Sequence, residues 1–278
     1  MAGKLPRRGF IKLVSLASLG FLASALVRPA HAVKAGKAYS MLIDLDKCIG
    51  CNRCTLACKE WNNLPRDRLE LYRVYVEKKL TPTTWTVVKA REVKVGEEAM
   101  RVFFKWQCMH CVEPTCVSVC PTKALTKRED GPVVYDASKC IGCGYCMTSC
   151  PFNIPRFDSE KKEIVKCHLC FNRIDRGLKP ACVSSCPTGA LDFNLREVIV
   201  EKAQSSGRHT YGILEAGGTS VIYVSSVPFR KLGFPEPGYE PPSRFNLNLL
   251  TQVLGVGVAS LIIVPAVYFA FKRKGSQR

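Results

Sequence analysis

The stretch CIGCNRCTLACKEW, residues 48 to 61, sets Cys48, Cys51, Cys54 and Cys58 within one short span and then runs on into Lys59. A near copy, CIGCGYCMTSCP, occupies residues 140 to 151 and ends in proline. Two more groups share the theme: Cys108, Cys111, Cys116 and Cys120, then Cys167, Cys170, Cys182 and Cys186. Together the four groups hold all 16 cysteines of the 278-residue chain.

Spacing discriminates between metals. Groups one and three are C-x2-C-x2-C-x3-C, group two is C-x2-C-x4-C-x3-C, and group four is C-x2-C-x11-C-x3-C. Structural zinc takes two C-x-x-C knuckles separated by a longer loop. Three cysteines at two-residue gaps instead suit three irons on one face of a cubane, with the x3 cysteine given to a neighbouring cluster. Four such groups with no cysteine left over point to four [4Fe-4S] clusters. A zinc-bound structural scaffold is the rival, separable by iron and acid-labile sulfide analysis.

The flanks indicate which groups pair. Group two is followed by Pro121-Thr122-Lys123-Ala124-Leu125 and a charged turn, then by GPVVYDASKCIGC into group three. That layout resembles a complete bacterial ferredoxin, with two [4Fe-4S] clusters. Group four, followed by CPTGALDF, resembles a first half, and group one, preceded by YSMLIDLDKCIGC, a second half. The fold expected is α+β: two interleaved ferredoxin-like modules, the second with its halves in swapped order around the first. Cys-Pro ends a group where the chain must turn sharply, and proline presets that turn. After Cys58 a β-rich insertion is expected over residues 59–107, starting irregular and becoming strand-like at Tyr72, Val74 and Val76.

The ferredoxin likeness implies the ligand sets. The first takes Cys48, Cys51, Cys54 and Cys186, and the second Cys58, Cys167, Cys170 and Cys182. The third takes Cys108, Cys111, Cys116 and Cys150, and the fourth Cys120, Cys140, Cys143 and Cys146. Pairing of sequence neighbours, group one with two and three with four, is the open alternative.

Both ends of the chain carry signals. Arg7-Arg8-Gly9-Phe10-Ile11-Lys12, an apolar run over 13–27 and Ala30-His31-Ala32 resemble a twin-arginine export signal over residues 1–32, with Pro6 where Ser or Thr is usual. Residues 245–271 are free of charge and long enough to cross a bilayer, and Lys272, Arg273 and Lys274 follow. The expectation is a single-pass anchor in the inner membrane. A cytoplasmic tail would occupy 272–278, a four-cluster domain 33–195 on the periplasmic side, and a C-terminal extension 196–244. Export of a folded, cofactor-loaded protein also reconciles many thiols with an oxidising compartment.

Charge and residue types narrow the function. The formal charge of +18 includes five basic residues of the export segment. Four oxidised cubanes at about −2 each offset most of what remains, which removes the main support for nucleic-acid binding. No acid–base pair, nucleophile–histidine arrangement or phosphate loop is present, and Gly217-Gly218 is a loop. His110 and His168, inside C-x-x-C turns, suit hydrogen bonds around a cluster better than ligation. Lys47, Lys139 and Lys166, each just before a first cysteine, are expected to be ordinary solvated lysines.

The four motifs in this order, over residues 39–191, resemble the four-cluster ferredoxin-like subunits of membrane-bound respiratory oxidoreductases. QCMHCVEPTCVSVCPTKALTK and GGTSVIYVSSVP look like the quinone-linked periplasmic [NiFe]-hydrogenase component. CKEWN and CIGCGYCMTSCPFNIPRFD look like the formate dehydrogenase beta subunit, which pairs with a molybdopterin enzyme. A signal on this chain itself tips the balance towards the hydrogenase component. The resemblance implies a non-catalytic row of four [4Fe-4S] clusters between a catalytic oxidoreductase subunit and an integral membrane quinone-reactive subunit. Gly255 and Ala259 are candidate helix contacts for the latter.

Overall fold

The computed structural model describes residues 38–65 and 79–238. The export signal expected over 1–32, the strand character expected at Tyr72, Val74 and Val76, and the membrane helix and tail expected over 245–278 all fall outside the described residues. Among the described residues no helix is long and apolar enough to cross a membrane.

A four-stranded sheet carries the second module. Strand β1 (Tyr39–Asp44) is buried along nearly its whole length, as expected of a near-continuous apolar run at the centre of a sheet. It pairs antiparallel with β8 (Leu191–Leu195) and parallel with β10 (Val221–Ser225), which in turn pairs with β9 (His209–Tyr211). Met41 and Ile43 face the large core that holds cysteines of three groups. Leu42, Ile222 and Val224 face the other way, under Ile199 and Ala203 of helix α6 (Arg196–Gln204). Those two residues are four apart on one helix face and fully buried. The extension expected over 196–244 therefore supplies half of this sheet within its described part.

Strand pairing displays the interleaving. In the first module β4 (Leu125–Lys127) pairs antiparallel with β5 (Val133–Tyr135), and Leu125 sits opposite Tyr135. In the second, Leu191 sits opposite Ile43. Leu125 and Leu191 each lie five residues after the last cysteine of a group, and Tyr135 and Ile43 each five before the first cysteine of another. The same ladder forms in both modules although its strands come in opposite chain order.

The modules meet at tight backbone contacts. Tyr39 donates its N–H to the Asp130 carbonyl at 2.8 Å, and a Cβ on Gly131 would lie 2.6 Å from the Tyr39 oxygen. With φ at +115° as well, Gly131 has no tolerable replacement. A short hairpin, β6 (Arg156–Asp158) with β7 (Glu163–Val165), carries the chain from group three to group four.

Within the insertion, β2 (Val87–Val95) and β3 (Glu98–Trp106) form a long hairpin, in line with its β-rich expectation. Its start differs. Helix α1 (Arg53–Trp61) continues past Cys58, so Lys59, Glu60 and Trp61 are helical where irregular chain was expected. The other helices that carry an x3 pair of cysteines, α2 (Thr115–Ser118), α3 (Tyr145–Thr148) and α5 (Ala181–Ser184), are single turns. Each of those is closed by a Cys-Pro step, which disfavours helix at the cysteine; Cys58 has no such stop.

Arg208 ties the end of β1 to the sheet's far edge. It reaches Asp44 at 2.8 and 2.9 Å and Asp46 at 2.6 Å, and the Asp44 side chain is only 6% exposed. Arg208→Met leaves that buried carboxylate only the solvated Lys47 at 3.8 Å and is expected to cost about 2 kcal/mol, since Arg208 itself keeps some solvent contact. Chemical denaturation of the loaded protein measures this. Burial pushes the Asp46 carboxyl up, but bonds from Arg208 and Ser226 outweigh it and hold the group below its ordinary value. Its contribution is therefore present above the ordinary carboxylate range and lost as pH falls through the lowered value. The Arg208→Met protein should lose that part of its acid sensitivity.

Candidate metal centres

Each C-x-x-C turn repeats one backbone device. The third residue, Gly50, His110, Gly142 or Leu169, has φ between +50° and +71°. This left-handed conformation turns a backbone N–H back onto the first cysteine: Gly142 donates to Cys140 Sγ and Leu169 to Cys167 Sγ, both at 3.4 Å. Glycine adopts it freely, while His110 and Leu169 hold it at a cost of about 1 kcal/mol each. At Gly50 a Cβ would also lie 2.7 Å from the Phe103 ring.

The thiols converge in four places. Cys48, Cys51, Cys54 and Cys186 line one cavity, with Ile49, Val88 and Lys105. Cys120, Cys140, Cys143 and Cys146 line another, with Leu125 and Ile164. The charge on Cys58 is felt by Cys167, Cys182 and Cys170, and that on Cys111 by Cys108, Cys116 and Cys150. None of the sixteen is in a disulfide. Each gathering draws its cysteines from two different groups.

Helices and turns place the four gatherings in a row. Cys54 and Cys58 stand one turn apart on α1, and α1 packs on α5, which bears Cys182 and leads into Cys186. Cys54 and Cys182 accordingly interact. Cys167 lies near Cys108, joining the second gathering to the third, and Cys116 lies near Cys146, joining the third to the fourth. The ends of the row face solvent. Cys51 and Cys143 are exposed, beside the exposed side chains of Ile49, and of Ile141 and Tyr145.

The donors fit iron–sulfur clusters. Burial pushes the thiols of Cys54, Cys116 and Cys167 up to about 12, so their thiolates need a cationic core beside them. Among the described residues no three Cys, His, Asp or Glu side chains are arranged around a single metal ion. The fully buried His110 adds a polar group seeking a partner. Its Nδ1 accepts the Val133 N–H at 2.9 Å, which leaves the proton of the neutral ring on Nε2, and Nε2 has no protein acceptor. A buried N–H inside a cysteine turn suits a sulfide or thiolate acceptor. His168 is one step further out: its Nε2 meets Asn62 Oδ1 at 2.6 Å, while the Asn62 amide donates to the Cys58 carbonyl and sulfur.

Lysines divide unexpectedly. Lys47 and Lys139 are solvated, each paired with an aspartate three residues earlier. Lys166 is not: it is 5% exposed and donates to the carbonyls of Val133 at 2.5 Å and Cys167 at 3.1 Å. Two further lysines escaped the sequence analysis. Lys127 donates to the carbonyls of His110 and Gly131, and Lys105 is 1% exposed beside the first gathering. The latter had a signal: it interrupts the apolar run of Val102, Phe103, Phe104 and Trp106.

Two ferredoxin ladders and four gatherings of thiols define a four-cluster iron–sulfur electron carrier. Family models described as 4Fe-4S dicluster domains match residues 47–124 and 99–196. The chain is 36% identical to the formate dehydrogenase iron-sulfur subunit of Haemophilus influenzae, over 82% of this chain and 78% of that protein. It is 35% identical to the formate dehydrogenase-O iron-sulfur subunit of Escherichia coli, over 79% and 78%. It is 34% identical to the hydrogenase-2 operon protein HybA of Escherichia coli O157:H7, over 83% and 84%. The chain belongs to this family of ferredoxin-like electron-transfer subunits, with four [4Fe-4S] clusters and no catalytic centre of its own.

Proposed function

We propose that the chain relays electrons between a periplasmic catalytic subunit of [NiFe]-hydrogenase type and an integral membrane subunit that reduces quinone. The four interleaved cysteine sets, Cys186 with group one, Cys58 with group four, Cys150 with group two and Cys120 with group three, hold the clusters. When bound, these supply one-electron stations. The chain's part is to hold them in a row, to exclude water from the middle two and to leave the outer two near the surface. The carrying observation is that row: two inner gatherings of mostly buried thiols, and two outer ones with Cys51 and Cys143 exposed beside apolar side chains. Such rims suit subunit docking.

A respiratory formate dehydrogenase or another molybdopterin enzyme as catalytic partner draws equal support from the relatives. The export signal at Arg7-Arg8 favours the hydrogenase. The same signal and the apolar span over 245–271 support an anchor in the inner membrane with the cluster domain outside the cytoplasm. Mass spectrometry of the complex purified in mild detergent tests this reading. A nickel–iron large subunit is expected beside a polytopic membrane protein. A molybdopterin or tungstopterin enzyme in its place would transfer the assignment to the formate dehydrogenase class.

A further inference from the structure

Lys105 sits on β3 in a place that strand alternation dictates. Val102, Phe104 and Trp106 point into the core, where Phe104 packs against Phe234 and Trp106 against Phe234 and Tyr223. Phe103 and Lys105 point to the opposite face, where Phe103 meets Gly50 of the first C-x-x-C turn. The Lys105 side chain thereby lines the cavity shared by Cys48, Cys51, Cys54 and Cys186. Its backbone is pinned there, because the fully buried Tyr223 hydroxyl donates to the Lys105 carbonyl at 2.9 Å.

The ammonium has no hydrogen-bond acceptor in the protein. The buried Lys166 and the half-buried Lys127, by contrast, both donate to backbone carbonyls. An ammonium with nothing to donate to is costly in an apolar interior unless negative charge stands beside it. Around Lys105 that charge comes from two gatherings at once: Cys54 of the first, and Cys58, Cys167 and Cys182 of the second.

We propose that Lys105 is the shared counter-charge of the first and second clusters, a positioning residue that makes both easier to reduce. The inference rests on the ligand sets given above. Adding an electron to an anionic cluster is opposed by the charge already there, and a fixed cation inside the low-dielectric core offsets that opposition for both neighbours. Cysteines of the third gathering have Lys127 and Lys166 nearby instead, and the fourth lies further along the row.

The test is an EPR-monitored redox titration of the full chain in its complex, as wild type, Lys105→Met, Lys105→Gln and Lys105→Arg. Wild-type protein is first assayed for iron; a content far below about sixteen per chain would remove the ligand sets rather than the role of Lys105. In Lys105→Met and Lys105→Gln, two of the four midpoint potentials should fall by tenfold or more in the reduction equilibrium, about 59 mV per tenfold for one electron. The other two should hold, and Lys105→Arg should stay close to wild type. Loss of two clusters in both neutral variants, with all four kept in Lys105→Arg, would equally support a counter-charge. Unchanged potentials in a fully loaded neutral variant, an equal shift of all four, or cluster loss in Lys105→Arg as well would overturn the proposal.

Discussion

On the proposed function, Cys182→Ser in the intact complex is expected to slow electron delivery from the catalytic subunit to quinone while leaving dye reduction by that subunit intact. Cys182 lies within reach of Cys58, Cys167 and Cys170 on one side and of Cys54 on the other, so it borders the junction between the first two gatherings. The described cysteines connect successive gatherings: first to second through Cys54 and Cys182, second to third through Cys167 and Cys108, third to fourth through Cys116 and Cys146. Electrons that follow this row pass every station. Losing an inner station should slow quinone reduction by roughly a hundredfold or more, an added barrier of about 3 kcal/mol. Parallel assays with quinone and with an artificial acceptor, together with an EPR count of remaining clusters, check this. Undiminished quinone reduction in a chain that lacks one inner cluster would rule out the serial arrangement.

The second large effect concerns folding. Stripping iron with a chelator under reducing conditions is expected to abolish the cooperative thermal transition rather than yield a stable empty chain. The cysteines do not decorate a core built by other residues; they are inside it. Cys54, Cys108, Cys167 and Cys182 belong to the main apolar cluster, with Cys48, Cys111, Cys150 and Cys186 packed against it. Cys146 belongs to the smaller one, with Cys116, Cys120 and Cys140 alongside. Helices α2, α3 and α5 are four residues long, too short to persist without an external tether. Metal binding at structural thiolate sites contributes on the order of 10 kcal/mol, comparable to the whole stability of a domain. Calorimetry and near-ultraviolet circular dichroism of loaded and stripped protein make the comparison. An iron-free chain that still melts cooperatively, within a few degrees of the loaded one, would contradict this account.

Particular residues show where sequence sufficed and where it did not. The cysteine spacings identify the cofactor, because three cysteines at two-residue gaps, as in groups one and three, suit one face of a cubane and the x3 cysteine then reaches a neighbour. The flanking segments CPTKAL, CPTGAL and YSMLID identify the halves, and the ladders Leu125–Tyr135 and Leu191–Ile43 join them as those segments imply. The end of α1 differs from expectation because the missing proline marks an insertion and also lets the helix run on to Trp61.

Local pattern thus determined the metal, the number of clusters and the swapped order of the halves, since cysteine spacing and the segments flanking each group are read within a few residues. Only the tertiary structure decided that β9 and β10 complete the β1 sheet, that the gatherings form a row with exposed ends, and that Lys105 and Lys166 are buried while Lys47 and Lys139 are not. A lysine's surroundings are set by segments distant in sequence, and nothing in its near neighbours states which charges the fold will bring to it.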